Sequence, residues 1–168
     1  MVIPLRKQTA DGQGGDEDAP LRYGAIWGDG AARAADARLA LRAFLGQARR
    51  TDHAVVPKSL AVDAELATSE MVTNAILHAP GPCGMTLELT DDELTITVWD
   101  SSTEKPAPKK ADPRRIGGHG MHLVHTVSDR VVVALRATGK LVTAHLSLTA
   151  NGKSTAFGGP AVAAFLPG

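Results

Sequence analysis

Hydrophobic and polar positions along this chain follow two periods in turn. "LRYGAIW" (21–27) reads as a short first strand, ended by "GDG". "AARAADARLALRAFLGQA" (31–48) is rich in helix formers, with Ala35, Leu39, Arg42 and Leu45 near helical spacing. A second helix is predicted from Lys58 to Ala79, where "APGPCG" stops it. Its buried face is expected at Val62, Leu66, Ser69, Thr73, Ile76 and Leu77. The period then drops to two. "MTLELT" (85–90), "DD" and "ELTITVWD" (93–100) predict a hairpin. Leu94, Ile96 and Val98 share a face, and the same alternation puts Asp100 on it. A carboxylate at the end of a buried row needs a partner.

Residues 101–116, "SSTEKPAPKKADPRRI", carry three prolines and an excess of Lys and Arg. A connection of this length inside a compact domain is expected to be functional, and we read it as a lid. "GGHG" (117–120) opens a third helix, "MHLVHTVSD" (121–129). "RVVVALRA", "TGK" and "LVTAHLSLT" predict a second hairpin. The elements, a strand, three helices and two hairpins, describe a mixed α and β domain.

Composition narrows the class. The chain has 168 residues, enough for one domain with a real core. We place that domain at residues 21–149, between a polar tail at 1–20 and a Gly-, Ala- and Pro-rich tail at 150–168. Hydrophobic residues are 43% and charged residues 21%, as in soluble globular proteins. The formal net charge is +0, which disfavours a direct nucleic-acid binder. Cys83 is the only cysteine, so neither an intrachain disulfide nor a Cys-based zinc site can form. No apolar run approaches the roughly 20 residues that span a bilayer, and no signal-peptide pattern opens the chain. A cytoplasmic protein without membrane contact is expected.

The candidate chemistry begins in "SEMVTNAILHA" (69–79). Glu70, Asn74 and His78 are four residues apart in an otherwise apolar helix. They could form a solvated edge, with His78 simply favourable at the helix end. Asp100 could cap the turn "DSS", and the glycines could be an ordinary turn. Their order in the chain points elsewhere. Asp100 suits a base amino group, and glycine N–H groups at a helix start suit phosphates. Asn74 suits Mg²⁺ as an oxygen ligand. Glu70, one turn before it, could orient or deprotonate an attacking hydroxyl. A dinucleotide site is disfavoured, because no Gly-rich turn joins the first strand to its helix.

With these residues in view, "SEMVTNAILHA" resembles the N-box of the GHKL ATPases, in the form found in bacterial anti-sigma-factor serine/threonine kinases. "VWD" resembles the start of the second box and "GGHGMHLV" the third. The similarity runs over roughly residues 25–148 with every element in order. It implies the Bergerat ATP-binding fold, an α/β (α+β) two-layer sandwich with a mixed, mostly antiparallel sheet packed on about three helices, and ATP and Mg²⁺ as cofactors. It also implies Glu70 as catalytic base, Asn74 as Mg²⁺ ligand and Asp100 as adenine contact. Gly117, Gly118, His119, Gly120, Met121 and His122 would cradle phosphate, and Arg114 and Arg115 just before them would join the nucleotide site. The partners implied are a sigma factor to sequester and an anti-anti-sigma (STAS-type) protein to phosphorylate. A homodimer is compatible with the resemblance.

Two departures from the family pattern stand out. No glycine follows Asp100 in "DSSTEKPAP". The Thr that commonly follows a Gly-Lys turn is replaced by Leu141, with Thr143 two residues later as the remaining nucleotide-contact candidate. Two readings follow. The first is an ATP-dependent kinase that also binds a sigma factor, favoured by Glu70 and Asn74. The second is a non-catalytic binding switch of the same fold, favoured by the missing glycines.

Overall fold

The computed structural model describes residues 19–79, 81–102 and 120–149. The elements run β1 (Leu21–Trp27), α1 (Ala34–Arg50), α2 (Lys58–His78), β2 (Cys83–Leu89), β3 (Glu93–Asp100), α3 (Gly120–Val127), β4 (Arg130–Arg136) and β5 (Gly139–Ser147). The five strands form one sheet in the order β1-β2-β3-β5-β4, and every neighbouring pair is antiparallel. The architecture is the expected α+β arrangement of one sheet and three helices. The expected parallel component is absent among the described strands. α3 provides the crossover that lets β3 and β5 pair without being consecutive.

Strict alternation builds the core. Leu89, Leu94 and Leu146 form one cross-strand row, Leu87, Ile96 and Ala144 the next, and Met85, Val98 and Val142 the third. All nine are buried. Burying one such Leu, Ile, Val or Met side chain is worth about 1.5–3 kcal/mol, so these rows fix the register. The fourth row breaks the pattern: it reads Cys83, Asp100, Lys140.

The helices pack on the face that these rows present; the predicted buried face of α2 needs correcting, and the residues at helical spacing in α1 are mostly not its buried ones. In α1 the buried side chains are Ala37, Leu41, Phe44 and Ala48. Leu39 is 60% exposed, and Ala35 and Arg42 are exposed as well. In α2 the buried residues are Ala64, Ala67, Thr68, Met71, Val72 and Ala75. Val62 and Leu77 are 67% and 69% exposed, and Thr73 is exposed. The reason is close packing. α2 lies between α1 and α3 on top of the sheet, and small side chains let it approach its neighbours, so its bulkier aliphatics turn outward.

The predicted tails (apart from residues 19 and 20) and most of the predicted lid fall outside the described residues. Among the described residues no helix is long and apolar enough to cross a membrane.

Candidate functional site

α2 presents different chemistry to its two neighbours. Toward α1, Arg38 Nη1 donates to Ser69 Oγ at 2.9 Å, and Ser69 in turn donates to the Glu65 carbonyl at 2.9 Å. Arg42 grips the Glu65 carboxylate with two hydrogen bonds of 2.8 and 2.6 Å. One residue past Ser69 is about 100° further round the helix, so Glu70 faces α3 instead. Gly120, the first residue of α3, lies so close that a Cβ there would collide with the Glu70 carboxylate. That carboxylate therefore sits at the positive end of the α3 dipole. Asn74, one turn further along the same edge, is half-buried, while His78 is exposed. Neither the Glu70 carboxylate nor the Asn74 amide has a hydrogen-bond partner among the described residues.

The other end of the site is closed on itself. Asp100 and Lys140 are each only 3% exposed along their side chains, and Lys140 Nζ lies 3.3 Å from Asp100 Oδ2. The backbone N–H of Ser102 donates to Asp100 Oδ1 at 2.9 Å. On the other side of Asp100, burial pushes the Cys83 thiol up, and the Asp100 charge adds to the effect. Cys83 is thus a neutral packing residue rather than a nucleophile. Gly139 starts β5 at φ +150°, a backbone that L side chains rarely adopt. A Cβ there would run into the Asp100 carbonyl oxygen. The turn can bring Lys140 opposite Asp100 because Gly139 has no side chain.

The remaining candidates divide. Met121 is partly buried against the core, and His122 is exposed with its carbonyl accepting from Thr126 Oγ1. Thr143 does not face the site. It pairs with Thr97, Oγ1 to Oγ1 at 3.1 Å, on the sheet face opposite that of Asp100. Alternation explains this, since Thr143 lies an odd number of residues from buried Lys140, Val142 and Ala144. Arg114, Arg115, Gly117, Gly118 and His119 lie outside the described residues. Lys140 is the residue that sequence reading missed. The signal was present: stepping back by two from Leu146, Ala144 and Val142 lands on it.

The two ends fit a nucleotide unequally. The Glu70 edge, with a carboxylate and an amide that have no partner among the described residues beside a glycine that opens a helix, suits an anion and its cation. Among the described residues no group of three or more His, Cys, Asp and Glu could cage a metal alone. Asn74 would therefore hold Mg²⁺ together with phosphate oxygens and water, the usual manner for this ion. The Asp100 end does not fit a base as it stands, because Lys140 already occupies its carboxylate. The depression at that end, lined by Trp99, Asp100, Gly139 and Lys140 among others, measures about 130 Å³. Ligand pockets usually start near ~300 Å³.

Comparison with known proteins gives three findings. The model of the family described as "Histidine kinase-like ATPase domain" matches residues 30–146. No curated protein matches. Among solved structures, the chain is similar to the histidine kinase domain of a blue-light-activated histidine kinase from Erythrobacter litoralis. That likeness has a TM-score of 0.42 and 22% identity, and it covers 71% of this chain and 66% of the other.

Proposed function

The chain belongs to the histidine kinase-like ATPase family, and from that premise we propose that it binds ATP with Mg²⁺ and phosphorylates a Ser or Thr of a protein partner. In this reading the partner is an anti-anti-sigma (STAS-type) protein, and the same chain sequesters a sigma factor. The observation that carries the reading is Glu70, a carboxylate without a hydrogen-bond partner among the described residues, seated against the first residue of α3. ATP supplies the transferable phosphoryl group. In this reading Glu70 would accept the proton of the partner's hydroxyl, Asn74 would contribute an oxygen ligand to the cation, and the N–H groups at the start of α3 would face the phosphates.

The test is a phosphotransfer assay to co-purified partners, run beside nucleotide titration. Glu70→Ala should keep ATP binding and lose about 10²–10⁴ in transfer rate, the usual worth of a positioned base. Asn74→Ala should lose both transfer and Mg²⁺-dependent binding. Wild-type protein that binds a sigma factor yet transfers nothing to any cognate partner would end the kinase reading. The second reading, a non-catalytic switch of the same fold, is favoured by one observation: Asp100 is already engaged by Lys140.

A further inference from the structure

The fourth cross-strand row holds a charged pair where three apolar rows precede it. Asp100 and Lys140 lie directly opposite each other on β3 and β5, both facing the helices, both 3% exposed and 3.3 Å apart. Asp100 Oδ1 already accepts from the Ser102 N–H. The other carboxylate oxygen, Oδ2, is the one Lys140 holds. Adjacent to the pair, β4 gives little cover: Leu135, the β4 residue paired with Lys140, is 40% exposed. The lysine stem is a flexible four-carbon chain that can carry its ammonium to solvent past that side.

We propose that Lys140 is an internal gate on the base end of the site: its ammonium occupies Asp100 Oδ2 and must leave before that carboxylate can accept a hydrogen bond from a nucleobase amino group. The proposal rests on the reading of Asp100 as the base acceptor. Nucleotide affinity is then a competition. The base gains one charged hydrogen bond, and the protein gives up one buried ion pair while hydrating the released ammonium. A gated site binds weakly by design, and anything that draws Lys140 outward, such as an acidic group on a partner docked beside β4, tightens it.

Two measurements on the full chain decide the matter. Calorimetric titration with ATP and Mg²⁺ compares wild type with Lys140→Ala. The variant should bind about tenfold tighter or more, the scale of one charge-assisted hydrogen bond. The second needs no variant, so it stands even where Lys140→Ala fails to fold. An amine-acylating reagent is applied to wild type with and without saturating ATP, and labelling is read by mass spectrometry against exposed Lys58. Lys140 should be shielded without nucleotide and labelled faster with it. Shielding that persists at saturating ATP, or a folded Lys140→Ala that binds ATP no tighter, makes the pair a fixed structural link and overturns the gate while leaving ATP binding intact. Absence of ATP binding to wild type and folded variant alike removes the nucleotide reading itself, and the gate with it.

Discussion

The two ends of the site use their carboxylates in opposite ways. Glu70 is half-buried, has no hydrogen-bond partner among the described residues and is positioned by a glycine rather than by a cation. Asp100 is almost fully buried, paired with Lys140 and bonded to a backbone N–H. A group left unsatisfied contributes little to folding and is free for chemistry. A group satisfied inside the protein contributes to the fold and must be freed before it can act. The comparison predicts that mutations at the Glu70 end change function with little change in stability, and that mutations at the Asp100 end change stability as well as nucleotide affinity.

The largest stability effect should follow Asp100→Ala. It leaves the Lys140 ammonium buried without a counter-charge, and breaking a buried pair by removing one partner costs about 3–5 kcal/mol. Urea unfolding should show that loss. Replacing both members together, Asp100→Leu with Lys140→Met, should recover most of it, because apolar groups of similar size replace a buried ion pair at little net cost. A single variant as stable as wild type would mean that water reaches the pair.

Next comes Gly139→Ala, at the same end. The added Cβ meets a backbone carbonyl, that of Asp100, which cannot swing aside, and φ +150° is strained for alanine. A loss of about 1–3 kcal/mol is expected from such backbone strain, again read in urea. Gly120→Ala provides the contrast. Its Cβ meets only the far end of the flexible Glu70 side chain, which can rotate away. Stability should stay near wild type, helped by the better helix propensity of alanine. Phosphotransfer should fall, because displacing a catalytic group by about 1 Å can cost ~10²-fold in rate. Equal losses of stability at Gly120 and Gly139 would erase the distinction between the two ends.

How much of this was legible in the sequence depends on the element. The strands were readable because one sheet face is buried and the side-chain period is two. That alternation placed Asp100 on the buried face and demanded a partner for it. The partner itself escaped, because Lys140 follows a glycine in a hairpin turn and so reads as a solvated turn residue. β3 and β5 also meet only through the α3 crossover. The helix faces were misread for another reason. α2 carries apolar and polar residues all round its surface, and its true contact positions are largely alanines such as Ala64, Ala67 and Ala75, whose small side chains give a weak signal. Large exposed aliphatics, Val62 and Leu77, gave a stronger and misleading one. The glycine-helix motif and the Glu70 edge were visible as a pattern. That Ser69 faces α1 while Glu70 faces α3 became visible only with the order of the three helices.

The smallest expected effect lies away from both ends and calibrates them. Arg42 and Glu65 join α1 to α2 through two hydrogen bonds at the surface. The hydrogen bond from Arg42 holds the Glu65 carboxyl below its usual range, its attraction to Arg42 and Arg38 adds to this, and partial burial opposes both. A carboxyl whose pKa is lower folded than unfolded stabilises the protein above its unfolded pKa of about 4.3. That contribution disappears as pH falls through the lower, folded value. Wild type should therefore lose stability in this acid range in part through Glu65, and Glu65→Gln should flatten that part of the pH profile by lowering stability slightly at neutral pH while leaving acid stability nearly unchanged. Solvent screening keeps the effect small, as for exposed ion pairs in general. Thermal melts of wild type and Glu65→Gln between neutral and acid pH would show it. A variant with the full acid sensitivity of wild type would remove the Arg42 link from the forces joining α1 to α2. Ser69 and the packing of Leu41 and Phe44 would then hold the helix whose far edge carries Glu70.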